Sequence, residues 1–220
     1  MERFLPIVVM IVIGVAFVAW RYWYEKKRRA AIMQFASQLG LSYSPSLLPG
    51  DDGVFQRFPI SNRGRGRKAT DAIVADSGEV RMVIFDYRYT TGSGKNSTTY
   101  RQTVALVHVP GLNLPEFALQ PESFVHRLGE FFGVKDIDFD DDPTFSKKFL
   151  LQGADEEAIR AYMTPQRRRA LLEYGDTCIE ANGDDFLFYR TGKRAPADQI
   201  KPLMERAFGL LQILKEPPGQ

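Results

Sequence analysis

The chain reads as an α+β protein in which one N-terminal transmembrane helix is followed by a largely antiparallel sheet packed with several helices. Three observations predict this. Phe4–Trp20 (FLPIVVMIVIGVAFVAW) runs 17 residues without a charge. Val80–Tyr89 (VRMVIFDYRY) and Tyr100–Val109 (YRQTVALVHV) are rich in β-branched and aromatic residues and are joined too tightly for a parallel crossover. Apolar residues recur at helical spacing in the second half, at Phe124, Val125, Leu128, Phe131 and Phe132 and again at Leu203, Ala207, Leu210, Leu211 and Leu214.

The N-terminal run predicts a signal anchor. At about 1.5 Å per residue it spans about 25 Å, and roughly 30 Å with the aromatic collar Tyr22, Trp23 and Tyr24. Pro6 falls in the first turn, where a missing N–H costs little. A cleaved leader is disfavoured, because the basic cluster follows the apolar run and bulky aromatics stand at the junction. Arg21, Lys26, Lys27, Arg28 and Arg29 flank its C-terminal side, so the positive-inside rule places the N-terminus outside and the soluble domain in the cytoplasm.

The expected organisation is a transmembrane anchor with its collar over residues 1–24, a juxtamembrane basic helix and linker over 25–53, an α+β domain over 54–214 and a loose tail over 215–220. Ile32, Phe35, Ala36 and Leu39 continue the first helix to a stop at Gly40. Val54–Phe58 and Ala69–Ala75 are expected strands flanking an Arg/Gly turn, and Phe145–Leu151 another. Pro121 is the expected first residue of the Phe124–Phe132 helix. Acidic Asp155–Glu157 opens a further helix, and Thr164-Pro165 is an N-cap and N1 pair for one that stops at Gly175. Thr177–Glu180 and Phe186–Tyr189, separated by ANGDD, read as a hairpin. Pro202 starts or kinks the last helix.

Net charge is +2, but it is unevenly spread: residues 1–110 carry 15 Lys+Arg against 8 Asp+Glu, and residues 111–220 carry 14 against 19. A basic half beside anionic lipid suits that asymmetry. The single cysteine, Cys178, excludes an internal disulfide and fits a reducing compartment.

Each chemical motif fails on a stated residue. Gly92-Ser93-Gly94-Lys95 resembles a phosphate loop, yet Tyr89 stands where its first glycine belongs and Asn96 where its hydroxyl belongs. A strand follows, whereas a phosphate loop hands over to a helix. Asp136–Asp142 resembles a calcium loop, with Asp141 and Lys147 where glycine and glutamate are required. Glu122, His126 and Glu130 share a helix face without a metal-binding signature, His108 being the other histidine. No GxSxG elbow exists, and Cys178 has no histidine near it in sequence. Arg167-Arg168-Arg169 reads as a solvated run at a helix start. No catalytic, cofactor-binding or metal residue is therefore assigned, and no cofactor is expected. Lys26, Lys27, Arg28, Arg29, Arg63, Arg65, Arg67 and Lys68 are candidate lipid contacts. Arg88, Lys95 and Arg101, around the 90–100 turn, are candidate contacts for a partner or ligand.

The segments FDYRYTTGSGKNSTTYRQTVAL (85–106), LPEFALQPES (114–123) and DIDFDDDPTFSKKFLLQGADEEAIRAYMTP (136–165), together with the N-terminal run, resemble an uncharacterised family of bacterial membrane-anchored proteins. The resemblance implies an inner-membrane protein with a domain of unknown function and carries over no catalytic residue. The expected function is a binding or scaffolding module at the membrane surface, meeting anionic lipid and a protein partner. The alternatives are a nucleotide-responsive domain or enzyme using the 92–97 turn, and nucleic-acid binding through the Arg/Gly loop 63–68, which one copy without an interleaved aromatic disfavours.

Overall fold

The computed structural model describes residues 5–123 and 136–216, with residues 5–8 as backbone alone. Helix α1 (Leu5–Gln38) is followed by β1 (Ser42–Ser44), α2 (Pro49–Phe55), β2 (Arg65–Asp76), β3 (Arg81–Thr91), β4 (Thr98–His108) and β5 (Leu114–Pro121). Then come α3 (Pro143–Lys148), β6 (Phe149–Gln152), α4 (Glu156–Tyr162), α5 (Pro165–Leu171), β7 (Cys178–Gly183), β8 (Asp185–Tyr189) and α6 (Ile200–Lys215). The strands form one sheet in the order β1-β2-β3-β4-β8-β7-β5-β6, and each neighbouring pair is antiparallel.

Alternation along the strands gives the sheet two apolar faces. On one, Ile73, Met82, Ile84, Ala105 and Val107 pack with Ile32 and Ala36 of α1 and with Ala207, Leu210, Leu211 and Leu214 of α6. On the other, Val83, Phe85, Tyr87, Val104 and Leu106 pack under Phe55 of α2 and Phe58 and Ile60 beyond it. Phe55 meets Phe85 and Tyr87 edge-on, with centroids 5.0 and 4.9 Å apart.

The membrane-spanning expectation is corrected: no helix among the described residues is long and apolar enough to cross a membrane. Length is not the obstacle, since α1 has 34 residues. Within α1 the charge-free stretch runs from Leu5 to Trp20, about 24 Å of helix, short of the roughly 20 apolar residues a span requires. Charge then begins at Arg21, and from Arg28 the helix belongs to the domain. Arg28, Ile32 and Ala36, at i, i+4 and i+8, are 8%, 2% and 1% exposed. The same helix thus projects an apolar end and docks a charged, mixed end.

Several local expectations change as well. Val54–Phe58 is the end of α2 and a turn, because Phe55 and Phe58 reach the core from helical i, i+3 spacing. Pro121 closes β5, a strand the sequence reading did not include. Phe145–Leu151 divides between α3 and β6; Asp142 caps α3 by accepting from Phe145 N. Arg65–Lys68, expected in a turn, lies within β2. The Phe124–Phe132 helix, with His126 and Glu130, lies outside the described residues. The caps at Asp155 and Thr164 accept from Ala158 N and Arg167 N.

Candidate functional site

Two bulges in β2 build the site. Between Arg65 and Lys68, and again between Thr70 and Ile73, β2 uses one residue more than β3. Gly66 has φ +62° at the first, and Asp71 has φ +56° at the second. Positive φ is costly for a residue with a Cβ, though aspartate tolerates it better than most. Here it aims the Asp71 carboxylate at α1 and β1, where Oδ1 accepts from Arg29 Nε of the helix and Tyr43 Oη of the strand, each at 2.7 Å. Burial first, and Asp71 second, push the Tyr43 hydroxyl up to about 12.

One step along the sheet, Asp86 of β3 gathers the main network. It accepts Arg28 at Oδ1 (3.1 Å), Thr103 Oγ1 at Oδ1 (2.8 Å) and Arg194 Nη2 at Oδ2 (2.7 Å). Arg194 also spans to Glu25 of α1 at 2.7 and 3.0 Å, which holds the Glu25 carboxyl below its ordinary range. Ala195 is fastened twice, its N–H donating to Thr103 Oγ1 and its carbonyl accepting Arg28. These bonds clamp α1 to β3, β4 and the segment after β8.

The next rung outward is cationic. Lys68 pairs with Arg88, and Arg88 with Arg101, in the β2–β3 and β3–β4 registers. Three adjacent strands therefore present three positive side chains in one row, and like charges directly opposite destabilise a sheet. Arg21 of α1 stands over them, and together they border a cavity of about 270 Å³. Glu25, Asp71 and Asp86 also line it, but each is engaged by Arg194, Arg29 or Arg28. Among the described residues Arg21, Lys68, Arg88 and Arg101 form no ion pair. Desolvation, then the charges of Arg21, Arg88 and Arg194, make Arg101 less basic than usual. Such a cradle stabilises negative charge.

The sequence-predicted contacts are dispersed around this cavity. Arg29, Lys68, Arg88 and Arg101 line it. Arg28 is turned inward onto Asp86. Lys27 lies over Trp23, 5.1 Å from the ring centre, and Lys26 is exposed on the same helix. Arg65 donates to the Gly92 carbonyl, Arg67 to the Ser61 carbonyl at 3.1 Å, and Arg63 is half-buried beside Glu180 and Tyr89. Lys95 sits on the exposed 3-10 turn Gly94–Asn96 at the β3–β4 tip, clear of the cavity, and β4 follows it directly.

Arg167 and Arg168 are corrected from a solvated run to core residues, 1% and 3% exposed. Arg167 donates to the carbonyls of Tyr162, Ile213 and Glu216. Arg168 bonds Asp141 at 2.6 Å and Asp142 at 3.1 Å, so one arginine of the run neutralises part of the acidic turn, while Arg169 stays exposed as expected. On the opposite sheet face His108 Nδ1 lies 2.8 Å from Asp185 Oδ1, bordering an apolar cavity of about 430 Å³. No hydroxyl or thiol side chain lines that cavity among the described residues.

Beyond the cavity α1 continues as an apolar rod that is exposed among the described residues. Val12, Ile13, Val15 and Val18 are 60–66% exposed, and Trp20, Trp23 and Tyr24 are uncovered too. Contiguous apolar surface of that extent marks an interaction site.

The fold has a solved counterpart. The crystal structure of the mycobacterial trehalose monomycolate transport factor A, TtfA, matches 88% of this chain and 97% of its own, with a TM-score of 0.57 and 11% sequence identity. At that identity the likeness is one of fold. No family model matches the chain, and no curated protein does.

Sequence reasoning did not bring Glu25, Asp86, Asp71 and Arg194 together. The available signal was Asp86 itself, an acid inside the otherwise apolar VIFDY, since a buried carboxylate requires a partner.

Proposed function

We propose that this protein is a membrane-associated binding module with no catalytic role, brought to the anionic, cytoplasmic leaflet by the apolar end of α1 and its basic flank. One observation carries the reading: α1 is apolar on all sides from Val9 to Trp20 and is exposed there among the described residues. A helix apolar all round requires an apolar environment. Lipid is favoured as that environment because the aromatic collar Tyr22–Tyr24 and the cations Arg21, Lys26 and Lys27 follow directly, as at a headgroup boundary. A transport factor as structural counterpart agrees with a binding or scaffolding role beside a protein partner.

The test is flotation of the full-length protein with phosphatidylcholine vesicles containing phosphatidylglycerol. The protein is expected to float with them, and the Val12→Asp/Val15→Asp double variant to remain at the bottom. Equal recovery of the two proteins would overturn the reading.

A further inference from the structure

We propose that the cavity between α1 and the Lys68–Arg88–Arg101 row is a binding site for a phosphate monoester. The inference goes beyond membrane docking, because the site is built by the folded domain and stands whether or not α1 meets lipid.

The charge balance is the first argument. The cavity brings six cations, Arg21, Arg29, Lys68, Arg88, Arg101 and Arg194, against three carboxylates. Those carboxylates are taken by arginines that hold α1 in place, which leaves Arg21, Lys68, Arg88 and Arg101 facing one another. Arg21, Lys68 and Arg88 are exposed and Arg101 is half-buried, but Lys68, Arg88 and Arg101 are held in register on adjacent strands, where backbone movement cannot relieve their repulsion. A dianion between them converts that repulsion into attraction.

Geometry is the second. Arginine presents paired N–H donors that match two oxygens of a phosphate, and lysine supplies a point charge. Arg88 and Arg101 stand side by side on the floor, Lys68 flanks them, and Arg21 closes from the helix above. A monoester, with three terminal oxygens and nearly two charges, uses more of these donors than a diester, which has one charge. The Asp86 network keeps the floor and the helix at a fixed separation, so the donors are arranged before the ligand arrives.

Phosphate of this kind can be free or carried by a lipid, and the experiment separates the two. Full-length protein in a nonionic detergent is titrated with sn-glycerol 3-phosphate by calorimetry. In parallel it is floated with phosphatidylcholine vesicles containing either phosphatidic acid, a monoester, or phosphatidylglycerol, a diester. Saturable glycerol phosphate binding identifies a free phosphate, and preference for phosphatidic acid without it identifies a lipid headgroup. In either case Arg88→Gln and Arg101→Gln are expected to weaken binding by about tenfold or more, and Lys95→Gln, outside the cavity, to change it by less than about twofold. Melting curves confirm that the variants fold. Absence of binding in both arms, or equal weakening in Lys95→Gln, overturns the proposal. The glycerol phosphate arm holds no bilayer, and the flotation arm compares two anionic lipids, so failure of membrane docking is read separately.

Discussion

Arg28 of α1 and Asp86 of β3 form an ion pair whose side chains are 7% and 8% exposed. Few positions tie the N-terminal helix to the sheet so directly. Asp86 serves two arginines and a threonine hydroxyl, so its loss strands charges that α1 and the Arg194 segment have buried. Asp86→Ala is expected to lower unfolding free energy by about 3–5 kcal/mol, the usual result of removing one partner from a buried pair. Urea denaturation measures it. Hydrogen exchange should show the loss concentrated at residues 25–38, where α1 lies on the domain.

The Arg88–Arg101 pairing makes the opposite prediction. Replacing Arg101 by threonine, the residue found one rung inward at 103, removes a like-charge contact. Arg101→Thr is expected to stabilise the ligand-free protein by roughly 0.2–1 kcal/mol at low salt, with the gain fading as salt rises. A site kept for binding at some cost in stability behaves in this way.

Glu180, on β7, is wholly buried and accepts from Tyr189 Oη at 2.9 Å and Ile60 N at 3.1 Å. Burial dominates these bonds and pushes its carboxyl from 4.5 up to about 7. Over that interval the folded protein retains a proton that the unfolded chain has released. Stability from this group is therefore complete below the unfolded value and declines as pH rises toward 7, by an amount on the order of a few kcal/mol. Comparing urea midpoints at roughly pH 5 and pH 8 should show a shallower dependence in Glu180→Gln than in the wild type.

Cys178 is buried to 0% exposure, and desolvation pushes its thiol up to about 12. Only the thiolate attacks disulfide reagents. The native protein is expected to be inert to a thiol-reactive disulfide dye, with full labelling appearing at the urea concentration that unfolds the sheet.

How much of this was legible depends on whether a residue's role is local. β3 and β4 announce themselves through β-branched and aromatic runs, and Asp155 and Thr164 through capping. β5 was hidden because Pro115, Glu116 and Pro121 interrupt its apolar pattern, although a proline at the strand's end costs little. Phe55 and Phe58 suggested a strand because aromatic content does not distinguish period 2 from i, i+3. The cavity was half visible: Arg88 and Arg101 stood out as cations flanking a turn. Their register with Lys68 rests on a bulge, and one residue of slip would have put Lys68 on the other face. The arginines at 167 and 168 misled for the same reason, since their partners at 141, 142 and 213 are distant in sequence.

The protein has two tryptophans, Trp20 and Trp23, and both lie on the exposed stretch of α1. Its intrinsic tryptophan fluorescence therefore reports on the element proposed to meet lipid and on nothing else. Adding phosphatidylcholine vesicles that contain phosphatidylglycerol is expected to shift the emission to the blue, and brominated acyl chains to quench it. An emission spectrum unchanged by vesicles and unquenched by brominated lipid would contradict the membrane-docking account.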